Sequence, residues 1–270
     1  MNKKGHVALA IAAGSGVLLA APVLTGNAVQ GVISSVLVVA LSAIGGLAPD
    51  LDHKTSTASQ FIQLSARRRH MLQKLSIVLL VIGAALFAGQ FLWGRVSGLT
   101  SELLKSAPFW IGAGVLSWAF ARLRSLVLIG AGALLLAAYN FYDWHWIAAF
   151  GGASLMILPL VKHRGIIHTP EFAVALTVGL LSLSGQHSVT VQALALGFVT
   201  GWWAHLAGDC FGREGIHSLF LPKIGIALKL FSNGGAVENW IARFCWVASV
   251  MMWVAWAGSF NVRLLSTVWQ

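Results

Sequence analysis

Charged side chains are scarce in this sequence: lysine, arginine, aspartate and glutamate together make up 10% of its 270 residues. A soluble domain usually carries about 25% charged residues, so this chain has too few to cover a surface that faces water. Hydrophobic residues reach 57%, and the mean hydropathy is +0.79. The composition therefore excludes an ordinary soluble domain and predicts a membrane protein.

Cysteine and acidic residues are also few, and each shortage narrows the function. The two cysteines, Cys210 and Cys245, form neither a disulfide framework nor a CxxC metal motif. The 8 acidic residues against 18 basic ones give a net charge of +10. Such an excess can indicate nucleic-acid binding, but in a membrane protein the commoner cause is lysine and arginine kept on the cytoplasmic side. We therefore expect no nucleic-acid partner and a location in the cytoplasmic (inner) membrane.

Apolar segments that approach the length of a membrane span, about 17–25 residues, follow one another along the chain. They lie near residues 7–24, 29–48, 75–93, 108–121, 125–139, 144–161, 172–183, 191–207 and 240–258, and the fourth and seventh are marginal in length. Lys3 and Lys4 before the first segment imitate a signal peptide, but a second segment follows directly, so we expect the first to be retained as a span. The sequence predicts an all-α, polytopic transmembrane bundle of about eight to nine spans, forming one membrane-embedded domain over residues 1–270.

Basic residues are distributed unequally between the two sides of this predicted bundle. If the N-terminus is cytoplasmic, 15 of the 18 lysines and arginines fall in cytoplasmic segments, and only Arg95, Lys105 and Arg263 fall outside. This agrees with the rule that short cytoplasmic loops of membrane proteins are rich in lysine and arginine. The arginine triplet at residues 67–69 lies on the cytoplasmic side, where it is predicted to contact anionic lipids.

The second apolar segment ends at a proline that is followed at once by two carboxylates, Asp50 and Asp52. Proline biases the preceding residue, Ala48, away from helical geometry, which favours an extended segment here. The side chains of residues i and i+2 in an extended segment point to the same side, so we expect those of Asp50 and Asp52 to point towards one common position. Neighbouring carboxylates repel each other unless a proton or cation lies between them, so a divalent metal suits this position.

Histidines near the ends of other apolar segments are predicted to lie close to Asp50 and Asp52 and to bind the same metal site. His6 precedes the first segment, and His205 and Asp209 end the eighth. Their i, i+4 spacing places His205 and Asp209 on one face of a helix, where they can share a metal ion.

A second histidine pair follows the sixth segment. Thr169, Pro170 and Glu171 form a helix start, with threonine as the N-cap, proline at the first helical position and an acid in the first turn. We therefore expect His163, Arg164 and His168 to lie on a loop that enters a helix.

The predicted topology brings these side chains to the cytoplasmic face of the membrane. The proposed metal ligands are His6, Asp50, Asp52, His163, His168, His205 and Asp209. Seven ligands exceed the four of one tetrahedral zinc site, so either two metal ions bind or some of the seven support the ligands. Imidazole and carboxylate together favour zinc, with manganese or iron as alternatives.

Three further residues are candidates for catalysis. Arg164 and Lys54 are placed to neutralise an anion that develops in a transition state. Glu238 lies just before the last apolar segment, where it can serve as a general base, a metal ligand or a helix-start acid.

The combination of these motifs resembles the YdjM-like proteins, which are bacterial inner-membrane proteins described as predicted metal-dependent hydrolases. The resemblance rests on residues 49–53, on residues 163–169, and on His205 and Asp209 with Gly215 and residues 221–222 beyond them. It covers the chain from His6 to about residue 222. Two departures are visible: Thr169 stands where serine is common, and residues 212–215 replace a Thr-Pro-x-Gly turn. Neither departure removes a proposed ligand.

The resemblance and the motifs together imply a membrane-bound, metal-dependent hydrolase with one or two metal ions at the cytoplasmic membrane boundary. The cations beside the ligands favour a phosphoester, and a site at headgroup depth favours a lipid-linked substrate, so membrane lipids and a small-molecule or lipid substrate are the expected partners. A transporter or ion channel is a second hypothesis, although it would place its acids and histidines nearer mid-membrane. A non-catalytic, metal-stabilised membrane protein is the third.

Overall fold

The computed structural model describes residues 1–20, 28–52, 63–92, 99–160, 165–213, 215–221 and 223–268, and these are predominantly helical. The α-helices are α1 (Lys3–Ala20), α2 (Ala28–Gly45), α3 (Ala66–Leu92), α4 (Leu99–Lys105), α5 (Ala107–Ala121), α6 (Leu123–Tyr142), α7 (Trp146–Ile157), α8 (Pro170–Ser184), α9 (Val189–Phe211) and α10 (Ala236–Val268). Short 3-10 helices occupy Pro49–Asp52 and Ile166–His168. A small antiparallel pair, β1 (Ile216–His217) and β2 (Gly225–Ile226), follows α9.

The all-α prediction is confirmed in its general form, because the described residues of each apolar segment lie mostly in a helix. Within the described residues, three helices are long and apolar enough to cross a membrane: Ala66–Phe91 in α3, Leu123–Tyr142 in α6 and Ala236–Gly258 in α10. Their apolar side chains are widely exposed, as shown by Phe91 at 79% and Met251 at 66%. A surface of this kind suits lipid rather than water. The larger number of eight to nine spans stays a prediction.

Helices α2 and α9 cross at very close range next to the proposed ligands. A Cβ atom added to Gly201 of α9 would fall on the carbonyl oxygen of Ser42 in α2, and one added to Gly45 would fall on the carbonyl oxygen of Phe198. Small residues permit such close backbone approach between helices, as is common in membrane proteins. Glycine at these two positions thus brings the end of α2 against the ligand-bearing end of α9.

Helix α1 packs against α2, α9 and α10. The hydroxyl of Ser42 donates a hydrogen bond to the carbonyl of Ala10 over 2.6 Å, and this bond is buried. A Cβ added to Gly14 would contact the Ser42 side chain at 2.7 Å. These contacts fix α1 beside α2, so that the first turn of α1 lies near the last turn of α9.

A hydrophobic core joins α6, the end of α7, α8 and α9. Its buried side chains include Leu128, Leu158, Ile167, Phe172, Trp202 and Leu206. The rings of Phe172 and Trp202 stack with their centroids 5.4 Å apart. Because Ile167 belongs to this core, the 3-10 helix that carries His168 is held against α9.

The segment after α2 differs from the expectation for Asp50 and Asp52. Residues Pro49–Asp52 form a 3-10 helix, closed by a 3.0 Å hydrogen bond from the amide of Leu51 to the carbonyl of Ala48. The predicted extended segment is therefore wrong, since the fixed φ of proline also suits the first turn of a helix. With three residues per turn, positions i and i+2 point in different directions. The backbone thus gives no shared direction to Asp50 and Asp52, and the Asp52 side chain lies outside the described part.

Candidate metal centre

The last turns of α9 carry the first two ligands. His205 Nε2 lies 3.4 Å from Asp209 Oδ2, as the i, i+4 spacing predicts for one helical face. Both side chains are buried, with 0% of His205 and 2% of Asp209 exposed. A buried carboxylate is costly unless a cation or hydrogen bonds compensate its charge, so this position calls for a positively charged partner.

His6 comes to the same point from the first turn of α1. Its Nε2 atom lies 3.4 Å from Asp209 Oδ1, and its ring stacks on that of His205 with centroids 3.8 Å apart. His6, His205 and Asp209 form one group whose possible ligand atoms all lie within 4.8 Å of one another. The α-amino group of Met1 also donates to Asp209 Oδ1 over 3.1 Å. The N-terminus of the chain and the end of α9 thus meet at Asp209.

A second group shares His205 with the first. His168 Nε2 lies 3.8 Å and His205 Nε2 lies 3.9 Å from Asp50 Oδ1. Asp50, His168 and His205 also fit within the 4.8 Å limit. The two groups together bring five of the seven sequence-predicted ligands into one cluster.

The start of α8 positions His168 as the sequence predicts. Thr169 is the N-cap, since its hydroxyl oxygen accepts a 3.3 Å hydrogen bond from the amide of Phe172. Pro170 opens the helix and Glu171 lies in its first turn. The same hydroxyl donates to the carbonyl of Ile166 over 2.8 Å, which closes the turn that holds His168.

Glu171 also ties this helix start to the loop after β1. Its carboxylate accepts hydrogen bonds from the hydroxyl of Ser218 and, over 3.0 Å, from the amide of Leu219. These donors lower the pKa of Glu171, with the Ser218 hydroxyl contributing most. The acid of the predicted helix start is therefore a structural link rather than a member of either ligand group.

The tautomer of His205 follows from its second ring nitrogen. Nδ1 lies 2.7 Å from the carbonyl oxygen of Gly46, and a carbonyl only accepts, so Nδ1 carries the hydrogen. Nε2 has no hydrogen-bond partner among the residues that the structure describes. In the neutral ring Nε2 then holds a lone pair directed towards two carboxylates. A metal ion relieves that repulsion, and a histidine whose other nitrogen donates to a carbonyl is a common form of metal ligand.

The charge of the Asp50 side chain also favours a bound metal ion. Burial raises the pKa of its carboxyl group, but the neighbouring imidazoles of His168, His205 and His6 outweigh this effect and lower the pKa to about 2. Asp50 is therefore a carboxylate at neutral pH. Three imidazoles and two carboxylates in a buried cluster form a ligand set that fits zinc, manganese or iron.

Several predicted residues lie outside this cluster or outside the described chain. His163, Arg164 and Lys54 belong to segments that the structure does not describe, as does the side chain of Asp52. Glu238 is buried at 1% exposure, and its two oxygens accept 2.7 Å hydrogen bonds from the amides of Asn2 and Gly234. It belongs to neither ligand group. Of the three roles predicted for Glu238, its contacts match the helix-start acid.

Two residues that support the metal ligands, Asn2 and Gly46, were not predicted from the sequence. Asn2 accepts a 2.9 Å hydrogen bond from the amide of Gly5 at the start of α1, and an asparagine before an apolar helix is a recognisable N-cap signal. The Gly46 carbonyl carries no such signal, because a backbone acceptor is found only when the fold places a donor beside it.

The arrangement defines a class: a helical membrane protein with two overlapping histidine and aspartate groups that can hold a metal ion. A family model described as YdjM inner membrane protein matches residues 1–269. The chain therefore belongs to this family of inner membrane proteins, which confirms the resemblance seen in the motifs. No curated protein and no solved structure matches the chain.

Proposed function

We propose that this chain is a membrane-bound, metal-dependent hydrolase that acts on a phosphoester or lipid-linked substrate at the inner leaflet. The observation that carries the proposal is the sharing of His205 by two groups of metal-ligating side chains. His205 Nε2 can bind one ion at a time, and the other four side chains exceed what one closed structural site needs, which would leave room for a second ion or for water as in hydrolase centres. Zinc is the favoured ion, and one or two ions are expected per chain.

Each group contributes in a defined way. His6 and Asp209 would hold a metal on one side of His205, and Asp50 and His168 would hold one on the other. A bound ion would polarise the scissile group and activate a water molecule. The Gly46 carbonyl keeps the Nε2 lone pair of His205 available, so the protein has this ligand prepared before metal binds.

An apolar cavity next to His168 supports a lipid-linked substrate. Its volume is about 180 Å³, and it is lined by Phe150, Ala153, Ser154, Ile157, Leu158, Ile166, Ile167 and Phe172. Ile166 and Ile167 directly precede His168, so an acyl or prenyl chain in this cavity would place its polar end near the ligand groups. Burial of such a chain contributes roughly 0.8 kcal/mol per methylene.

The position of the ligands favours an enzyme over a transporter or channel. His6 lies in the first turn of α1, Asp50 follows α2, and Asp209 lies in the last turn of α9. Intramembrane transport sites instead place ionisable side chains along the bundle interior at mid-membrane depth. The cluster at the helix ends therefore supports chemistry at the membrane boundary.

A substitution of Arg164 can distinguish the enzyme hypothesis from the hypothesis of a metal-stabilised scaffold. A guanidinium group cannot ligate a metal, so its predicted task is to bind the developing anion of the substrate. Arg164→Ala should leave metal content unchanged and lower turnover by about 10²–10³-fold, the range for losing one such donor. Loss of metal in parallel with activity would instead show that Arg164 braces a ligand.

The direct test combines metal analysis with a substrate screen. The detergent-purified chain should contain a divalent metal and hydrolyse at least one member of a panel of phosphoesters and phospholipids. His205→Ala should lower both metal content and turnover, whereas His187→Ala should change neither, because the His187 side chain is exposed and lies in neither ligand group. Metal without turnover on any substrate of the panel would favour the metal-stabilised scaffold.

A further inference from the structure

A polar cavity lies between the start of α3 and the junction of α5 with α6. Its volume is about 270 Å³, far above the roughly 10–15 Å³ that a single water needs. The described residues that line it are Gln63, Leu64, Arg69, Gln73, Phe120, Ala121, Arg122, Leu123, Arg124, Ser125 and Pro159. Three of these side chains are arginines, and none of these lining residues is acidic. We call this cavity the arginine pocket.

The three arginines are held by different local contacts. Arg69 donates to the side-chain oxygen of Gln63 over 3.3 Å, while its buried Nε has no hydrogen-bond partner among the described residues. The guanidinium of Arg122 lies 5.1 Å from the ring centre of Trp118, which is a cation–π distance. Arg124 is buried at 6% exposure. The first turn of α3 and the junction of α5 with α6 thus bring three positive charges to one cavity.

The arginine pocket adjoins the candidate metal centre through Arg124. A terminal nitrogen of Arg124 donates to the carbonyl of Leu51 over 2.5 Å, and Leu51 is the neighbour of Asp50 in the same 3-10 helix. Arg124, which lines the arginine pocket, therefore contacts the residue next to Asp50, a member of the metal groups.

We propose that the arginine pocket binds a phosphate group, as a site separate from the metal centre. The positive charges of Arg69 and Arg122 at one cavity repel each other, and an anion between them removes that repulsion. Arginine presents planar pairs of N–H donors that match phosphate oxygens, and the amides of Gln63 and Gln73 and the hydroxyl of Ser125 add neutral donors. Donors of both kinds on several sides suit a compact tetrahedral anion better than a planar carboxylate.

Two sources of phosphate fit this chemistry: the headgroup of an anionic phospholipid and a soluble phosphate compound. The binding inference does not require hydrolysis, so a failed substrate screen leaves it standing. If the hydrolase proposal also holds, a phosphate in the arginine pocket would orient a substrate whose reacting group lies at His205.

The test is direct binding to the full-length chain. Inorganic phosphate is titrated into the detergent-purified protein by calorimetry, and phosphatidic acid is compared with phosphatidylcholine in nanodiscs. Arg122→Gln and Arg69→Gln should each weaken phosphate binding by about tenfold, the scale of losing one charge-assisted hydrogen bond. Thermal unfolding is measured for each variant, so that a folding defect is not counted as lost binding.

Arg243→Gln is the matched control. Arg243 is also exposed and stacks on a tryptophan, with its guanidinium 5.4 Å from the Trp240 ring centre, but it does not line the arginine pocket. It should bind both probes as the wild type does. His205→Ala should likewise retain phosphate binding, because the arginine pocket does not depend on the metal ligands.

Each result has a defined meaning. Weaker binding of both probes in the Arg69 and Arg122 variants shows that the phosphate group itself is recognised. Weaker binding of phosphatidic acid alone identifies a lipid headgroup, and weaker binding of inorganic phosphate alone identifies a soluble ligand. Equal binding by wild type, Arg69→Gln, Arg122→Gln and Arg243→Gln would overturn the proposal. So would a loss confined to His205→Ala, since phosphate would then bind at the metal centre.

Discussion

The carbonyl oxygen of Gly46 accepts a 2.7 Å hydrogen bond from Nδ1 of His205. This bond joins the residue after α2 to a ligand in α9, and it leaves Nε2 of His205 as the nitrogen that can bind a metal. Its length depends on how closely the two helices approach. The glycines at the crossing therefore influence the metal centre without contacting it.

His205 is predicted to be the most sensitive ligand for metal content. His205→Ala removes a member of both groups, whereas His6→Ala and His168→Ala each remove a member of one. We expect His205→Ala to lower metal affinity by at least about tenfold, the scale at which even supporting residues act. His6→Ala and His168→Ala should each reduce the metal content, by up to one ion if two bind. Elemental analysis of the purified variants gives the stoichiometry.

His187→Ala serves as the matched control for these histidine variants, since His187 is exposed and lies in neither group. Equal metal content in the wild type and in His205→Ala would show that the shared-ligand arrangement is wrong.

Gly201→Ala is predicted to disturb the metal centre from a distance. The added methyl group would fall on the Ser42 carbonyl and force α2 and α9 apart. Overpacking of this kind costs about 1–3 kcal/mol in the free energy of unfolding. It should also lengthen the bond between Gly46 and His205 and so weaken metal binding. Thermal unfolding and metal titration measure the two effects.

Gly112→Ala provides the comparison, because a Cβ at Gly112 meets no atom within 4 Å. It should leave metal binding unchanged and leave stability equal or slightly higher, since alanine is the better helix former. If both glycine variants bind metal like the wild type, the α2–α9 distance does not control the centre.

Glu238 is predicted to position His6 rather than to transfer a proton. Its carboxylate holds the amide of Asn2, and Asn2 in turn caps the first turn of α1, which carries His6. Glu238→Gln should therefore weaken metal binding by about 10–100-fold, as outer partners of ligands do. Turnover per bound metal should stay near the wild-type value.

The exposed Glu102 is a suitable reference for the Glu238 variant. Among the described residues Glu102 pairs only with Lys105, at 2.7 Å, and its side chain is 74% exposed. Glu102→Gln should therefore leave both metal binding and turnover unchanged. Full metal occupancy with a collapsed rate in Glu238→Gln would instead identify Glu238 as a general base.

The cytoplasmic orientation of the metal centre is predicted from the basic residues. Reporter fusions after Asp52, His163 and Asp209 should all report the cytoplasm, and fusions near Asp143 or Gln186 should report the outer side. The reason is the 15-to-3 excess of lysine and arginine in the proposed cytoplasmic segments. Opposite locations for Asp52 and His163 would contradict a single centre.

The sequence by itself determined the helical membrane class, the helix start at Thr169 and the pairing of His205 with Asp209. These features depend on hydropathy and on spacing within one helix, and both can be read locally. The resemblance of the motifs to a family was confirmed over residues 1–269 for the same reason, since motifs are local.

Only the tertiary structure decided how the separate motifs meet. The hydropathy of a segment does not show which other helix it packs against. Here α2 and α9 pack together because glycines such as Gly201 allow their backbones to come into contact. That contact brings Gly46 to His205, and the packing of α1 on α9 brings His6 to Asp209. The 3-10 geometry at Asp50 and the meeting of three arginines in one pocket also arise between distant parts of the chain. Such contacts follow from the packing of whole helices, which no single stretch of sequence specifies.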